Sequence, residues 1–167
     1  MLIIYADNSS AEVNLTKEIK ARGVNPKRLI FGKRLERPEY MARYRVADLF
    51  LDTQPYNAGT TASDALKMGL PVLTLLGKSY QARMGASIVN AVNLPELITH
   101  SREEYESLAI ELANNPQKLK KIKDKLAANL STAPLYDTKL FTKNLESAYT
   151  QMYERYHQGL EPDHIYV

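Results

Sequence analysis

Ala47-Asp48-Leu49-Phe50-Leu51-Asp52-Thr53-Gln54-Pro55-Tyr56-Asn57-Ala58-Gly59-Thr60-Thr61-Ala62-Ser63-Asp64-Ala65-Leu66-Lys67-Met68-Gly69-Leu70-Pro71-Val72-Leu73-Thr74-Leu75 changes its hydrophobic rhythm twice. Ala47 to Leu51 is a short apolar run, and the spacing predicts a strand. Thr61 to Met68 follows a helical pattern and stops at Gly69, a residue suited to the position just past a helix. Pro71 to Leu75 is apolar again and short. Strand, helix and strand in so few residues imply parallel strands joined by a crossover.

The same alternation extends toward the N-terminus. Leu2 to Tyr5 is β-prone and predicts a buried strand, and Asp7-Asn8-Ser9-Ser10 predicts a turn. Ala11 to Arg22 reads as a helix closing at Gly23, Arg28 to Phe31 as a strand, and Pro38 to Tyr44 as a short helix opening on proline. Toward the C-terminus, Tyr80 to Asn90 is helical, and Leu94 to Ile98 is a last short strand or a tight connection.

Beyond Ser101 the chain reads as helix. Ser101-Arg102-Glu103-Glu104 has the form of a capping box for a helix running to about Asn114. A second helix starts at Pro116, carries Leu119, Ile122, Leu126 and Leu130 as a packing stripe, and stops before Pro134. A third spans about Thr138 to His157, with Leu145, Ala148, Met152 and Tyr156 on one face and Gly159 at its end. The expected class is α/β: a doubly wound, Rossmann-like parallel sheet over residues 1–100, then a helical extension over 101–167. We expect one domain over 1–167, with no internal boundary.

Composition narrows the function. The chain has 167 residues, of which 44% are hydrophobic and 25% charged, an ordinary globular balance. Its 22 basic and 19 acidic residues leave a formal charge of +3, spread along the chain. Nucleic-acid binders cluster their charge, so none is expected as a partner. The densest run, Lys118, Lys120, Lys121, Lys123 and Lys125, reads as a solvated helix face. With no cysteine, thiolate metal sites, disulfides and cysteine nucleophiles are excluded. The apolar start is too short for a signal core or a membrane span, so a cytoplasmic protein without membrane contact is expected.

The chemistry concentrates between Asp52 and Leu66. A loop of small residues before a helix presents the N–H groups of Gly59, Thr60 and Thr61 where the helix dipole adds positive potential, a phosphate site in the making. The threonine hydroxyls can donate to phosphate oxygens, and Asp64, one turn into the helix, suits a ribose hydroxyl pair. The spacing equally permits Thr60 or Thr61 as an N-cap with Asp64 as its capping-box partner. Neither a Walker lysine nor G-x-G-x-x-G is present.

Asp52-Thr53-Gln54-Pro55-Tyr56-Asn57-Ala58-Gly59-Thr60-Thr61-Ala62-Ser63-Asp64 resembles the donor-loop signature of the O-linked N-acetylglucosamine transferases, glycosyltransferase family 41, which have the GT-B fold. Val46 to Thr53, Gly69 to Thr74, Arg83-Met84-Gly85-Ala86-Ser87, Tyr105, Ala109, Leu112 and Tyr149 to His164 are similar too, so the resemblance covers nearly the whole chain. It implies the later part of the C-terminal catalytic lobe. There Gly59, Thr60 and Thr61 would cradle the diphosphate of UDP-N-acetylglucosamine and Asp64 would hold the ribose. Arg37 falls where the family has a ribose-contacting lysine, Arg43 where it has a uracil-contacting arginine, and Leu35 where backbone meets uracil. Tyr40 replaces a histidine that stacks on the base, and Gly59 replaces a histidine of the loop.

The resemblance implies metal-independent, inverting transfer with no cofactor beyond the donor, and an acceptor protein brought by another lobe. It also places the other lobe, a tetratricopeptide array and a phosphate-binding lysine upstream of this segment, so the isolated chain is expected to be inactive. No catalytic residue is assigned within it. Lys33 and Lys78 read as surface lysines, and His100, His157 and His164 lie outside the loop and form no metal site. A non-catalytic binding or scaffolding module is the alternative reading, and an open lobe face would favour self-association.

Overall fold

The structure is a computed structural model that describes residues 1–6 and 8–167; the turn expected at 7–10 includes Asp7, which lies outside the described residues. The chain divides into two compact units, Met1–Arg43 and Tyr44–Val167. The sequence reading set no boundary there: its only seam lay at residue 100. In the structure, the helices after 101 belong with the strands of the second unit.

The first unit comprises β1 (Leu2–Tyr5), α1 (Ser9–Ala21), β2 (Leu29–Gly32) and α2 (Arg37–Arg43). β1 and β2 pair in parallel, with Leu2 opposite Leu29 and Tyr5 opposite Gly32. Asn8 starts α1 by accepting the Ala11 N–H at 2.8 Å, the preferred N-cap device. The expected burial of β1 is corrected: Leu2, Ile3 and Tyr5 are exposed, and no described residue of this unit is buried. A two-stranded ladder with a single crossover helix encloses no space from which water is fully excluded.

The second unit comprises β3 (Phe50–Leu51), α3 (Thr60–Lys67), β4 (Val72–Leu75), α4 (Tyr80–Ala91), β5 (Ile98–Thr99), α5 (Arg102–Asn114), α6 (Pro116–Asn129) and α7 (Thr138–His157). Its strands run in the order β3-β4-β5, all parallel, with Phe50 opposite Val72 and Thr74 opposite Ile98. Within the expected strand at 47–51 only the last two residues are paired, and Leu94–Ile98 resolves into a 3₁₀ turn, Pro95–Leu97, running into β5.

β4 is buried along its whole length, as a central parallel strand covered on both faces should be. Around it pack Ala62, Ala65 and Leu66 of α3, Val89 of α4, Leu112 of α5, and Ile122 and Leu126 of α6. Each fully buried leucine contributes roughly 1.5–3 kcal/mol over its exposed state. α3 ends at Gly69, whose φ of +80° a side chain would strain. There the N–H groups of Gly69 and Leu70 return to Leu66 and Ala65, each at 2.9 Å, which turns the chain directly into β4.

Ser101 caps α5 by accepting the Glu104 N–H at 3.1 Å, and the Glu104 carboxylate accepts the N–H of His100, one residue earlier than a capping box requires. On α6, Ile122 and Leu126 face the core. Four lysines of the basic run pair instead with carboxylates: Lys118 with Glu111, Lys120 with Asp124, Lys123 with Asp48 and Lys125 with Glu96. No helix among the described residues is long and apolar enough to cross a membrane.

Candidate functional site

The stretch between β3 and α3 is built around one carboxylate. Asp52 directly follows β3 with only 5% of its surface exposed. Its Oδ1 accepts the N–H of Thr53 at 2.8 Å and that of Ala58 at 2.7 Å, which closes the loop between them. Its Oδ2 accepts the Thr74 hydroxyl of β4 at 2.7 Å. Burial pushes its pKa above the usual carboxylate value, against the lowering effect of these three donors.

The loop is tied down elsewhere as well. Asn57, fully buried, donates to the Thr53 carbonyl at 2.9 Å and accepts the N–H of Gly85 in α4. Thr53 donates its hydroxyl to the Tyr56 carbonyl at 2.8 Å. The Gln54–Pro55 peptide is cis, and the Gln54 side-chain amide donates to the Leu75 carbonyl. Gly85 lies so close that a Cβ there would collide with Asp52 Oδ2 and Thr74 Oγ1. Only glycine lets α4 come this near the carboxylate.

The loop delivers the chain to α3, whose N-cap is Gly59, and no side chain caps it. This decides between the two uses of Thr60 and Thr61. They are the first and second helical residues, not caps, so Asp64 cannot complete a capping box with either. Thr60 and Thr61 are exposed, and the N–H groups of a helix's first turn have no partner within the helix itself. Asp64 is only 6% exposed and sits beside Tyr136, whose hydroxyl donates to the Ser63 carbonyl at 2.7 Å.

Leu35, Arg37, Tyr40 and Arg43 belong to the first unit. Leu35 is exposed in the loop before α2. The guanidinium groups of Arg37 and Arg43 lie 5.7 and 5.5 Å from the centre of the Tyr40 ring. Arg43 also donates to the Lys33 carbonyl at 3.2 Å, so α2 gathers two cations around one aromatic face. Thus the structure brings Arg37, Tyr40 and Arg43 together on α2 and Gly59, Thr60, Thr61 and Asp64 at the start of α3. The two sets lie in different units.

Sequence reasoning passed over the groups that hold the loop. Tyr105 of α5 donates its hydroxyl to the Asp52 carbonyl at 2.9 Å, and burial together with the Asp52 charge pushes its pKa up to about 12. Tyr136, in a 3₁₀ turn before α7, does the same for Ser63, and burial raises its pKa too. The signal available was a polar residue closing an apolar strand: Asp52 is costly to bury unless its oxygens are satisfied. The partners lie 22, 53 and 73 residues away from the atoms they bond, beyond any local pattern.

Comparison with known proteins identifies the family and the fold. The family model "Glycosyl transferase family 41" matches residues 2–145. A probable UDP-N-acetylglucosamine–peptide N-acetylglucosaminyltransferase SEC of Arabidopsis thaliana is 35% identical over 95% of this chain, and a Caenorhabditis elegans UDP-N-acetylglucosamine–peptide N-acetylglucosaminyltransferase is 32% identical over 92%. The chain spans only 16% and 13% of those two proteins. The solved structure of a mutant O-GlcNAc transferase from Thermobaculum terrenum superimposes with a TM-score of 0.84 and 32% identity, over 90% of this chain and 30% of that one. With a parallel α/β scaffold, a buttressed loop running into an uncapped helix, and a family match across most of its length, the chain belongs to glycosyl transferase family 41.

Proposed function

We propose that the chain is the donor-binding part of a protein O-N-acetylglucosaminyltransferase, taking the uridine diphosphate half of UDP-N-acetylglucosamine. One observation carries this reading: α3 begins at a glycine with no side-chain cap, behind a loop fixed by a buried carboxylate. Such a terminus offers preset N–H donors and the positive end of the helix dipole to an anion. Gly59, Thr60 and Thr61 hold the diphosphate and Asp64 the ribose. On α2, taken by itself, Tyr40 offers a base a stacking surface flanked by Arg37 and Arg43.

In the whole enzyme the acceptor hydroxyl of a protein serine or threonine attacks the anomeric carbon. The bond to the UDP oxygen breaks, the hydroxyl proton departs to solvent or a base, and the sugar inverts. The donors at α3 stabilise the charge gathering on the leaving diphosphate. The acceptor is engaged by parts of the enzyme beyond the donor site, the reaction uses no metal, and the setting is the cytoplasm. Calorimetric titration of UDP into the chain tests the reading. Saturable binding weakened roughly fivefold by Thr61→Ala is expected, and absence of heat at millimolar UDP would count against it.

A second reading, a scaffolding or self-associating module, is favoured by α7. None of its residues is buried, and Phe141, Leu145, Met152 and Tyr156 form an exposed stripe.

A further inference from the structure

We infer that Asp52, Tyr105 and Tyr136 are positioning residues that clamp the loop and the first turn of α3 into the shape that presents Gly59, Thr60 and Thr61. The inference rests on the donor-loop reading for its functional consequence, but its geometry stands apart from it. Each of the three side chains acts on backbone rather than on any ligand. Asp52 draws the N–H groups at both ends of the loop, Thr53 and Ala58, onto a single oxygen at 2.8 and 2.7 Å. Tyr105 holds the carbonyl of Asp52 itself at 2.9 Å, at the point where the strand leaves the sheet. Tyr136 holds the carbonyl of Ser63 at 2.7 Å, one turn past the point where the helix begins.

Both ends of the segment 52–63 are therefore gripped by phenols that come from the helical extension. Its middle is drawn inward by a carboxylate that the Thr74 hydroxyl orients at 2.7 Å. A loop of this kind, without such ties, would open locally at little cost, because its backbone makes few bonds of its own. An anion site made of backbone N–H groups depends on their being aimed before the ligand arrives. The helices after residue 101 thus do more than cover the sheet. They set the geometry of the segment that faces the donor.

Amide hydrogen exchange on the whole chain, with no nucleotide present, tests the clamp directly. In Tyr105→Phe and Tyr136→Phe, which keep the ring and lose one hydroxyl, exchange at the hydrogen-bonded amides of Asn57, Ala58 and Ser63 should rise roughly two- to tenfold while β4 and α4 keep their protection. Asp52→Ala should raise it further, and Asp52→Asn, which keeps the shape and one acceptor oxygen, should recover most of the protection. UDP affinity should fall by a similar factor in each variant.

Exchange unchanged in the tyrosine variants, or raised equally throughout β4 and α4, would overturn the inference. The first outcome would mean the hydroxyls hold nothing, and the second that they serve only general stability. If Asp52→Ala does not fold, the two tyrosine variants still decide the matter. If the unaltered chain takes up no UDP, the donor-loop reading falls while the exchange data continue to judge the clamp.

Discussion

Tyr105 shows what a single residue's surroundings do to its chemistry. Its hydroxyl is enclosed and lies close to the Asp52 carboxylate, and both effects resist forming a second negative charge, so its pKa is pushed up to about 12 from 10.0. A group whose folded value is raised contributes stability that is fully present below its unfolded value and is lost as pH rises through the folded one. For Tyr105 that window runs from about 10 to about 12, so its hydrogen bond to the Asp52 carbonyl persists through mildly alkaline solution. Spectrophotometric titration should contain a late phenolate component that Tyr105→Phe reduces. Absorbance lost near the ordinary tyrosine value of 10.0, with the late component intact, would show that the phenol is freely ionisable. None of this was legible in the sequence: Tyr105 stands in an ordinary amphipathic helix, and its partner is 53 residues away.

Among the elements, α3 best separates what local pattern can tell from what it cannot. Its existence, its end at Gly69 and the strands on either side followed from hydrophobic period and one glycine. Its start was ambiguous, because threonine and aspartate three apart fit both a cap and a ligand site. The structure places the N-cap at Gly59 and leaves it without a side-chain bond. Gly59→Asp would put a carboxylate where the proposed function seats an anion. The expected result is an unchanged or slightly raised melting temperature, from charge at the helix N-terminus, with UDP affinity lowered at least about tenfold. Retained affinity would mean that the N–H groups of α3 do not meet the phosphate. Space at Gly59 is no obstacle to this test, since a Cβ there meets only Met84 Cγ at 3.8 Å.

β1 was misjudged on burial for a related reason. An apolar run signals a strand, but whether that strand is covered depends on how many layers surround it, and here a two-stranded ladder leaves Leu2, Ile3 and Tyr5 exposed. The proposed site residues divide in the same way. Gly59, Thr60 and Thr61 could be picked out because a loop into a helix has a local signature, whereas the groups that hold them come from β4, α5 and the turn before α7.

At the scale of the whole molecule, the exposed face of α7 bears on how copies of the chain associate. The second unit has a dense centre, yet α7 presents Phe141 at 64% exposure, Met152 at 51% and Tyr156 at 78% along one side. Contiguous apolar surface of this kind favours association. Sedimentation velocity should show a concentration-dependent rise in mass that Phe141→Glu with Met152→Glu abolishes. A single unchanging species in both proteins would argue that the stripe has no role in self-association.

The central claim is that uridine diphosphate sits at the start of α3. An amide-resolved NMR titration of the unaltered chain with UDP tests it most directly. We predict saturable shifts centred on the amides of Gly59, Thr60 and Thr61, extending to Asp64. Shifts absent at millimolar UDP, or saturating elsewhere with these amides unmoved, would contradict it.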